Sequence, residues 1–318
     1  MRKRPRPVCC GWPALKPGCP ANGWRADHAR RTAVRRLAIG TALLAAAAAL
    51  VVGVSLGRPR PSATPTAETV AATCERIEGA PVIERVVAGR AVVSPLVPNA
   101  SLRVNDVVAT DGSSRVGLRT PSGSSVRLDR QGRLRLHSPM AIELIGGAVY
   151  VMTAEGSPGF EVRTPVGALR DIGTQFEVRL DGAAVRVRVR TGHVEIHRGG
   201  DVIPARGGSE VRIAEAGVET SPMQSYGPAW AWTTTIAPVF QTEGRPLSAF
   251  LDHLAREEAW VVRFESPDLA RAASSIVLHG SIERLTAEDA LKVALATSGL
   301  DYRLTGGELV IFRPRNAR

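Results

Sequence analysis

Residues 174–190 read TQFEVRLDGAAVRVRVR, and no other stretch of the chain constrains its fold more tightly. Apolar and polar residues alternate strictly on both sides of Asp181-Gly182. A period of two puts successive side chains on opposite faces of a β-strand. Asp-Gly between two such runs is a two-residue hairpin signal, because the glycine accepts a positive φ. With Asp181 and Gly182 as the two central turn residues, Leu180 faces Ala183, Val178 faces Val185, Phe176 faces Val187 and Thr174 faces Val189. The opposite face then pairs Glu177 with Arg186 and Gln175 with Arg188. A slip of one residue would turn Arg186, Arg188 and Arg190 toward the apolar side, which burial of unpaired charge forbids. The arginine stripe is therefore expected on a solvated face.

The hairpin sits in a longer β region. Between residues 77 and 220, short alternating runs at 115–119, 125–129, 133–137, 147–153, 160–164 and 193–197 are separated by Gly, Asp, Ser and Pro. Such spacing predicts an all-β unit, a sandwich or a short solenoid-like roll. Residues 221–235 read as a connector holding Trp230 and Trp232. The pattern over 236–314 is β-α-β-β-α-β-β. Leu247, Phe250, Leu251 and Leu254 have helical spacing, as do Ala287, Ala290, Leu291, Ala294 and Leu295. Thr286 is placed to cap the second helix and Gly299 to end it. Strands are expected at 260–264, 275–280, 301–305 and 308–312, the last two joined by Gly306-Gly307.

The N-terminal part has a different character. Residues 37–56 are 20 consecutive uncharged residues, rich in Ala, Leu and Val. At ~1.5 Å per residue they would span ~30 Å as a helix, the thickness of a bilayer core. Ten basic residues and one acid precede them; the other 282 residues hold 31 basic and 29 acidic groups. The high net charge thus belongs to a tail, and a basic nucleic-acid-binding surface on the fold is not indicated. Positive-inside asymmetry places residues 1–36 in the cytoplasm and the C-terminal regions outside. The alternative is a cleaved signal peptide, whose apolar region is normally shorter. Residues 1–36 are expected to be mostly disordered and 57–76 to be a Pro/Thr/Ala linker that includes Cys74. The predicted class is a membrane-anchored, mainly β protein with one N-terminal transmembrane helix, an all-β domain and a small α+β domain.

A search for chemistry gives no catalytic residues, no cofactor fingerprint and no metal site. His193, Glu195 and His197 share a strand face, but two histidines on a strand are a weak metal motif, and a polar outer face opposite Val194 and Ile196 is the preferred reading. Asp171 and Asp181 stand beside turns, where aspartate shapes backbone. Trp230 and Trp232 are either an exposed partner-contact pair or a wedge between domains.

The residues do resemble a family. Val162, Thr164, Pro165, Gly167, Gly173, Thr174, Phe176, Val178, Val187, Val189, Gly192 and Val194 follow the pattern V-x-T-P-x-G, G-T-x-F-x-V, V-x-V-x-x-G-x-V of FecR-family periplasmic sensor domains. The likeness extends over roughly residues 95–220. The region 236–314 is similar in pattern to the short N-terminal domain of secretins and TonB-dependent transducers. The resemblance implies a single-pass inner-membrane regulator without enzyme activity. Its periplasmic part would receive an outer-membrane TonB-dependent transducer or another envelope protein, and its cytoplasmic part would act on an extracytoplasmic-function sigma factor. Family members carry a longer helical domain before the membrane, whereas residues 1–36 are Pro-rich. The alternative is therefore an envelope binding or scaffolding protein with no sigma-factor role.

Overall fold

The structure is a computed structural model and describes residues 69–314, apart from Glu155 and Arg284. The predicted tail, the predicted transmembrane segment and most of the predicted linker lie outside the described residues. Among the described residues, no helix is long and apolar enough to cross a membrane.

The β region begins earlier than expected. Its strands are β1 (Val70–Glu78), β2 (Val82–Val87), β3 (Arg90–Pro95), β4 (Ser101–Arg103), β5 (Val107–Ala109), β6 (Arg115–Arg119), β7 (Ser125–Leu128) and β8 (Arg133–Ser138). They continue with β9 (Ala141–Gly146), β10 (Ala148–Met152), β11 (Glu161–Thr164), β12 (Gly167–Asp181), β13 (Ala184–Arg198), β14 (Asp201–Arg206), β15 (Ser209–Ala214) and β16 (Gly217–Pro222). Cys74, expected in the linker, lies fully buried in β1. Residues 70–76 therefore belong to the domain, because their alternate small apolar side chains fill the core.

The long strands β12 and β13 organise everything else. The hydrogen-bonded order runs β3-β2-β5-β8-β9-β11-β12-β10-β7-β6-β1-β4. The first part of β12 pairs with β11, and its last part pairs with β10. Strand β13 follows β12 along its length and is extended by β14 at one end and β15 at the other. One sheet thus curls through its longest hairpin into two arms. Leu169, Val194 and Ile196 of one arm share a single core with Phe176, Val178, Val185, Val187 and Val189 of the other. A corner made by strands that bend from one layer into the next is a known solution for packed sheets. The curled two-armed sheet gives form to the sandwich-or-roll expectation.

The hairpin register differs from the expectation by two residues. Leu180 pairs with Val185, Val178 with Val187 and Phe176 with Val189. The turn residues are Gly182 and Ala183, not Asp181 and Gly182. Gly182 has φ +62°, and Ala183 is not in the positive-φ region. Glycine at the first central position is the type II′ requirement, which suits a right-twisted hairpin as well as type I′ does. A shift of two keeps each side chain on its face, so the apolar face is as expected while the partners change. Glu177 now lies opposite Arg188, and Arg179 opposite Arg186.

After the β region come a 3-10 turn at Pro228–Trp230 and α1 (Ala231–Thr235). The C-terminal part holds β17 (Arg245–Pro246), α2 (Leu247–Glu258), β18 (Val261–Phe264), α3 (Pro267–Ser275), β19 (Val277–Leu278), α4 (Ala287–Thr297), β20 (Asp301–Thr305) and β21 (Glu308–Phe312). Helix α3 interrupts the expected β-β connection. Ser266 precedes it and Pro267 occupies its first turn, a favourable start. Its buried face is only Leu269 and Ala273, which leaves little periodic signal. The Thr286 hydroxyl accepts the Asp289 backbone N–H at 3.1 Å, and Gly299 takes φ +64° beyond the helix, both as expected. Helices α2 and α4 pack with β18, β20 and β21 around a second core of Leu247, Phe250, Leu251, Leu291, Leu295, Leu309 and Ile311.

Candidate functional site

The signature residues build the sheet corner. Thr164-Pro165 opens the tight turn into β12, and the Thr164 hydroxyl donates to the Gly167 carbonyl at 2.9 Å. Gly167 has φ +144°, and a Cβ there would stand 2.0 Å from the His197 carbonyl oxygen. Only glycine lets β13 pass so close. Further along, Gly173 and Thr174 face the single residue Gly192 as a bulge, since Ile172 pairs with His193 but Gln175 pairs with Thr191. Gly173 has φ +67° and Gly192 +83°; a Cβ on Gly192 would meet the Gly173 carbonyl and the Thr174 methyl at 2.5 Å. An extra residue bends a strand and increases its twist, which suits a corner.

Asp171 holds this bulge. It is buried, and its carboxylate accepts the Thr174 hydroxyl at 2.8 Å, the Thr174 N–H at 3.3 Å and the Phe160 N–H. Thr174 also donates its N–H to the Thr153 hydroxyl at 2.9 Å. Phe176, Val178 and Val194 are fully buried in the core below. The signature is therefore architectural: it specifies a bent hairpin, and its residues make no reactive constellation.

The outer face beside the corner is not solvated. A row runs across neighbouring strands: Arg127 pairs with Tyr150, Tyr150 with Glu177, Glu177 with Arg188 and Arg188 with Glu210. Arg127, Tyr150, Glu177 and Arg190 are all at most 1% exposed. The connector and α2 cover them. Arg127 makes a two-pronged ion pair with Glu257 of α2, at 2.7 and 2.9 Å, and donates to the Thr233 carbonyl at 2.9 Å. Its guanidinium lies 5.2 Å from the Tyr150 ring centre. Arg190 donates to the Glu257 and Ser225 carbonyls, each at 2.6 Å, and stacks 5.1 Å from Trp230. Of the stripe expected on a solvated face, Arg190 is instead drawn with Arg127 into a buried charged clamp whose partners the C-terminal part supplies, while Arg186 and Arg188 remain partly exposed.

Burial alone would push the Glu257 carboxyl up. The adjacent Arg127 charge and its hydrogen bonds outweigh burial and hold Glu257 below the usual carboxylate range. Burial pushes the Tyr150 hydroxyl up, and it donates to Gln175 at 2.9 Å as a neutral group. Trp230 is 1% exposed, and its indole N–H donates to the Gln224 carbonyl at 2.9 Å. Trp232 donates to Glu177 at 2.7 Å. Trp230 is thus buried in the junction and not half of an exposed pair, and Trp232 is half-buried beside it.

Sequence reasoning missed Arg127, Tyr150 and Glu257. One signal was present. The run Ala148–Met152 is continuously apolar and buried on both faces, which means the outer face of that strand is covered too. His193, Glu195 and His197 line the other arm, with His197 3.4 Å from Glu195. Among the described residues, no group of three or more His, Cys, Asp or Glu could hold a metal ion.

Residues 106–195 match the family model described as FecR protein. The chain carries a FecR domain. The matched stretch takes in every signature residue from Thr164 to Val194, together with Arg127, Tyr150, Glu177 and Arg190. Two crystal structures of a candidate anti-sigma factor from Parabacteroides distasonis ATCC 8503, at 2.50 and 1.65 Å resolution, are similar to the chain at 16% identity, with TM-scores of 0.35 and 0.36. Each covers 66% of this chain and 99% of its own. No curated protein matches the chain.

The β region also has an open edge, ahead of the matched residues. The β2–β3 hairpin ends the sheet, and all of β3 is exposed. Val86, Val87, Val92 and Val93 are 68, 53, 47 and 61% exposed. An edge strand with unpaired backbone groups and apolar side chains is a template for a further strand.

Proposed function

We propose that the chain is a single-pass inner-membrane signalling regulator with no enzyme activity. Its FecR domain lies in the periplasm and receives an envelope partner of the TonB-dependent receptor type. Its N-terminal segment relays the signal to a cytoplasmic sigma factor of the extracytoplasmic-function class. The observation that carries this reading is the order of parts. A FecR domain at 106–195 follows a 20-residue uncharged run that ten basic residues precede. Residues 236–314 serve in this reading as a small module like the short N-terminal domain of secretins and TonB-dependent transducers.

The receiving surface in this reading is the β2–β3 edge. Strand addition there would satisfy the free backbone groups of Arg90–Pro95 and cover the exposed valines. The test is affinity capture of the full-length protein from solubilised inner membranes, with mass-spectrometric identification of what elutes. A sigma factor and an outer-membrane receptor in the eluate support the regulator. Reproducible recovery of envelope proteins alone would replace it with a scaffolding role. A topology reporter fused after residue 318 that reads cytoplasmic would overturn both.

A further inference from the structure

A cavity of about 170 Å³ lies beside the clamp, where α2 meets the β6–β7 loop and the end of β10. Its lining brings together Arg119 at the end of β6, Ser125 at the start of β7, Thr153 after β10, and His253 and Arg256 from α2. Glu257 also borders it, but both its carboxylate oxygens are occupied by Arg127. Arg119 is paired with Glu75 and donates to the Gly123 carbonyl at 3.0 Å. Those two ion pairs balance. Arg256 is exposed and makes no hydrogen bond or ion pair among the described residues. His253 is half-buried, its ring 5.1 Å from that of Phe240. Arg256 therefore adds a positive charge that no ion pair offsets, and the Ser125 hydroxyl, which accepts the Arg127 Nε–H at 3.1 Å, keeps its own proton for a ligand.

We propose that this cavity binds a small oxyanion of phosphate size, held chiefly by Arg256, with the N–H groups that Arg119 leaves free beside its Glu75 and Gly123 contacts as a secondary donor. A guanidinium donor suits an oxyanion, and partial enclosure strengthens it over a bulk-water ion pair. The space is short, which disfavours an extended organic ligand. The site has one wall from the β domain and one from α2. An occupant would join the two and stabilise the clamped arrangement by mass action. This site is independent of the β2–β3 edge and of any partner bound there.

The experiment uses the full-length protein in detergent micelles. Thermal unfolding is followed against inorganic phosphate, with chloride matched for ionic strength. The proposal expects a saturable rise in Tm with phosphate that chloride does not reproduce. Arg256→Gln should leave the phosphate-free Tm unchanged and weaken the apparent phosphate affinity about ten-fold, the loss of one charge-assisted bond. Arg256→Lys should recover part of it. Arg271→Gln, on exposed α3, should bind as the parent does. No saturable rise in the parent protein would overturn the proposal. Equal affinity in Arg256→Gln and the parent would overturn it as well, since the bound phosphate would then be elsewhere.

Discussion

The two faces of the long hairpin at 167–198 are buried by opposite chemistry. On the inner face Phe176, Val178, Val185, Val187 and Val189 disappear into an apolar core. On the outer face Glu177 and Arg190, flanked by Arg127 and Tyr150, disappear beneath the connector and α2. The inner face uses non-directional contacts that tolerate a change of similar shape. The outer face uses directional ion pairs, where removing one partner strands the other in low dielectric. The inner face makes the domain, and the outer face fixes where the C-terminal part sits.

The largest effect should come from the corner that both faces share. Gly167→Ala places a methyl against the His197 carbonyl in a backbone conformation that alanine avoids. A loss above about 4 kcal/mol in urea unfolding is expected, at the exceptional end for one substitution. Gly182→Ala, at φ +62° with nothing within 4 Å of the added Cβ, should lose only about 1 kcal/mol. Equal losses would mean that close approach at the corner is not what selects the glycine.

Next comes the inner face. Phe176→Ala should cost about 3–5 kcal/mol by the same measurement, through transfer and cavity formation. Acid should separate the faces without mutation. Glu257 sits below its usual range, and so does Asp129, where burial opposes but hydrogen bonds from Arg115 and Arg179 prevail. A depressed folded-state pKa gives stability that is present above the unfolded value and lost as pH falls through the folded one. Below about pH 4, where unperturbed carboxylates protonate, hydrogen exchange in α2 should therefore quicken before exchange in residues 185–189. Simultaneous quickening would contradict the division.

Cys74 sharpens the account of the inner face alone. Burial pushes its thiol up to about 11. A maleimide should modify the Cys74 peptide in urea but scarcely in the native protein, as peptide mapping would show. The smallest stability effect is expected at the open edge. Val93→Lys should change stability by no more than about 0.5 kcal/mol, while capture of an envelope partner falls sharply.

The inner face was legible in the sequence because period two is a direct record of one-sided burial. The hairpin, the helix at Leu247–Glu258 and the Thr286 cap follow from such local rules, whereas the corner glycines stood out only through the family pattern. The turn at Gly182-Ala183 was misplaced by one residue because Asp-Gly satisfies the type I′ rule so well. The outer face was illegible for a physical reason. Arg127 and Arg190 look like surface residues on any strand, and their partner Glu257 lies 130 residues beyond Arg127. Pairing at that separation leaves no local pattern. Helix α3 was missed because alanine gives a weak apolar stripe.

The most direct test of the clamp is a comparison of three proteins by urea unfolding and hydrogen exchange. Glu257→Ala should lose about 3–5 kcal/mol from the junction, since it leaves Arg127 buried and unpaired. The double variant Arg127→Met/Glu257→Leu should recover most of that loss, because apolar groups of similar volume replace the pair. Fast exchange in α2 should appear in the single variant and subside in the double. If Glu257→Ala behaves within about 0.5 kcal/mol of the parent, the outer face is not a clamp, and the C-terminal part must be held by something else.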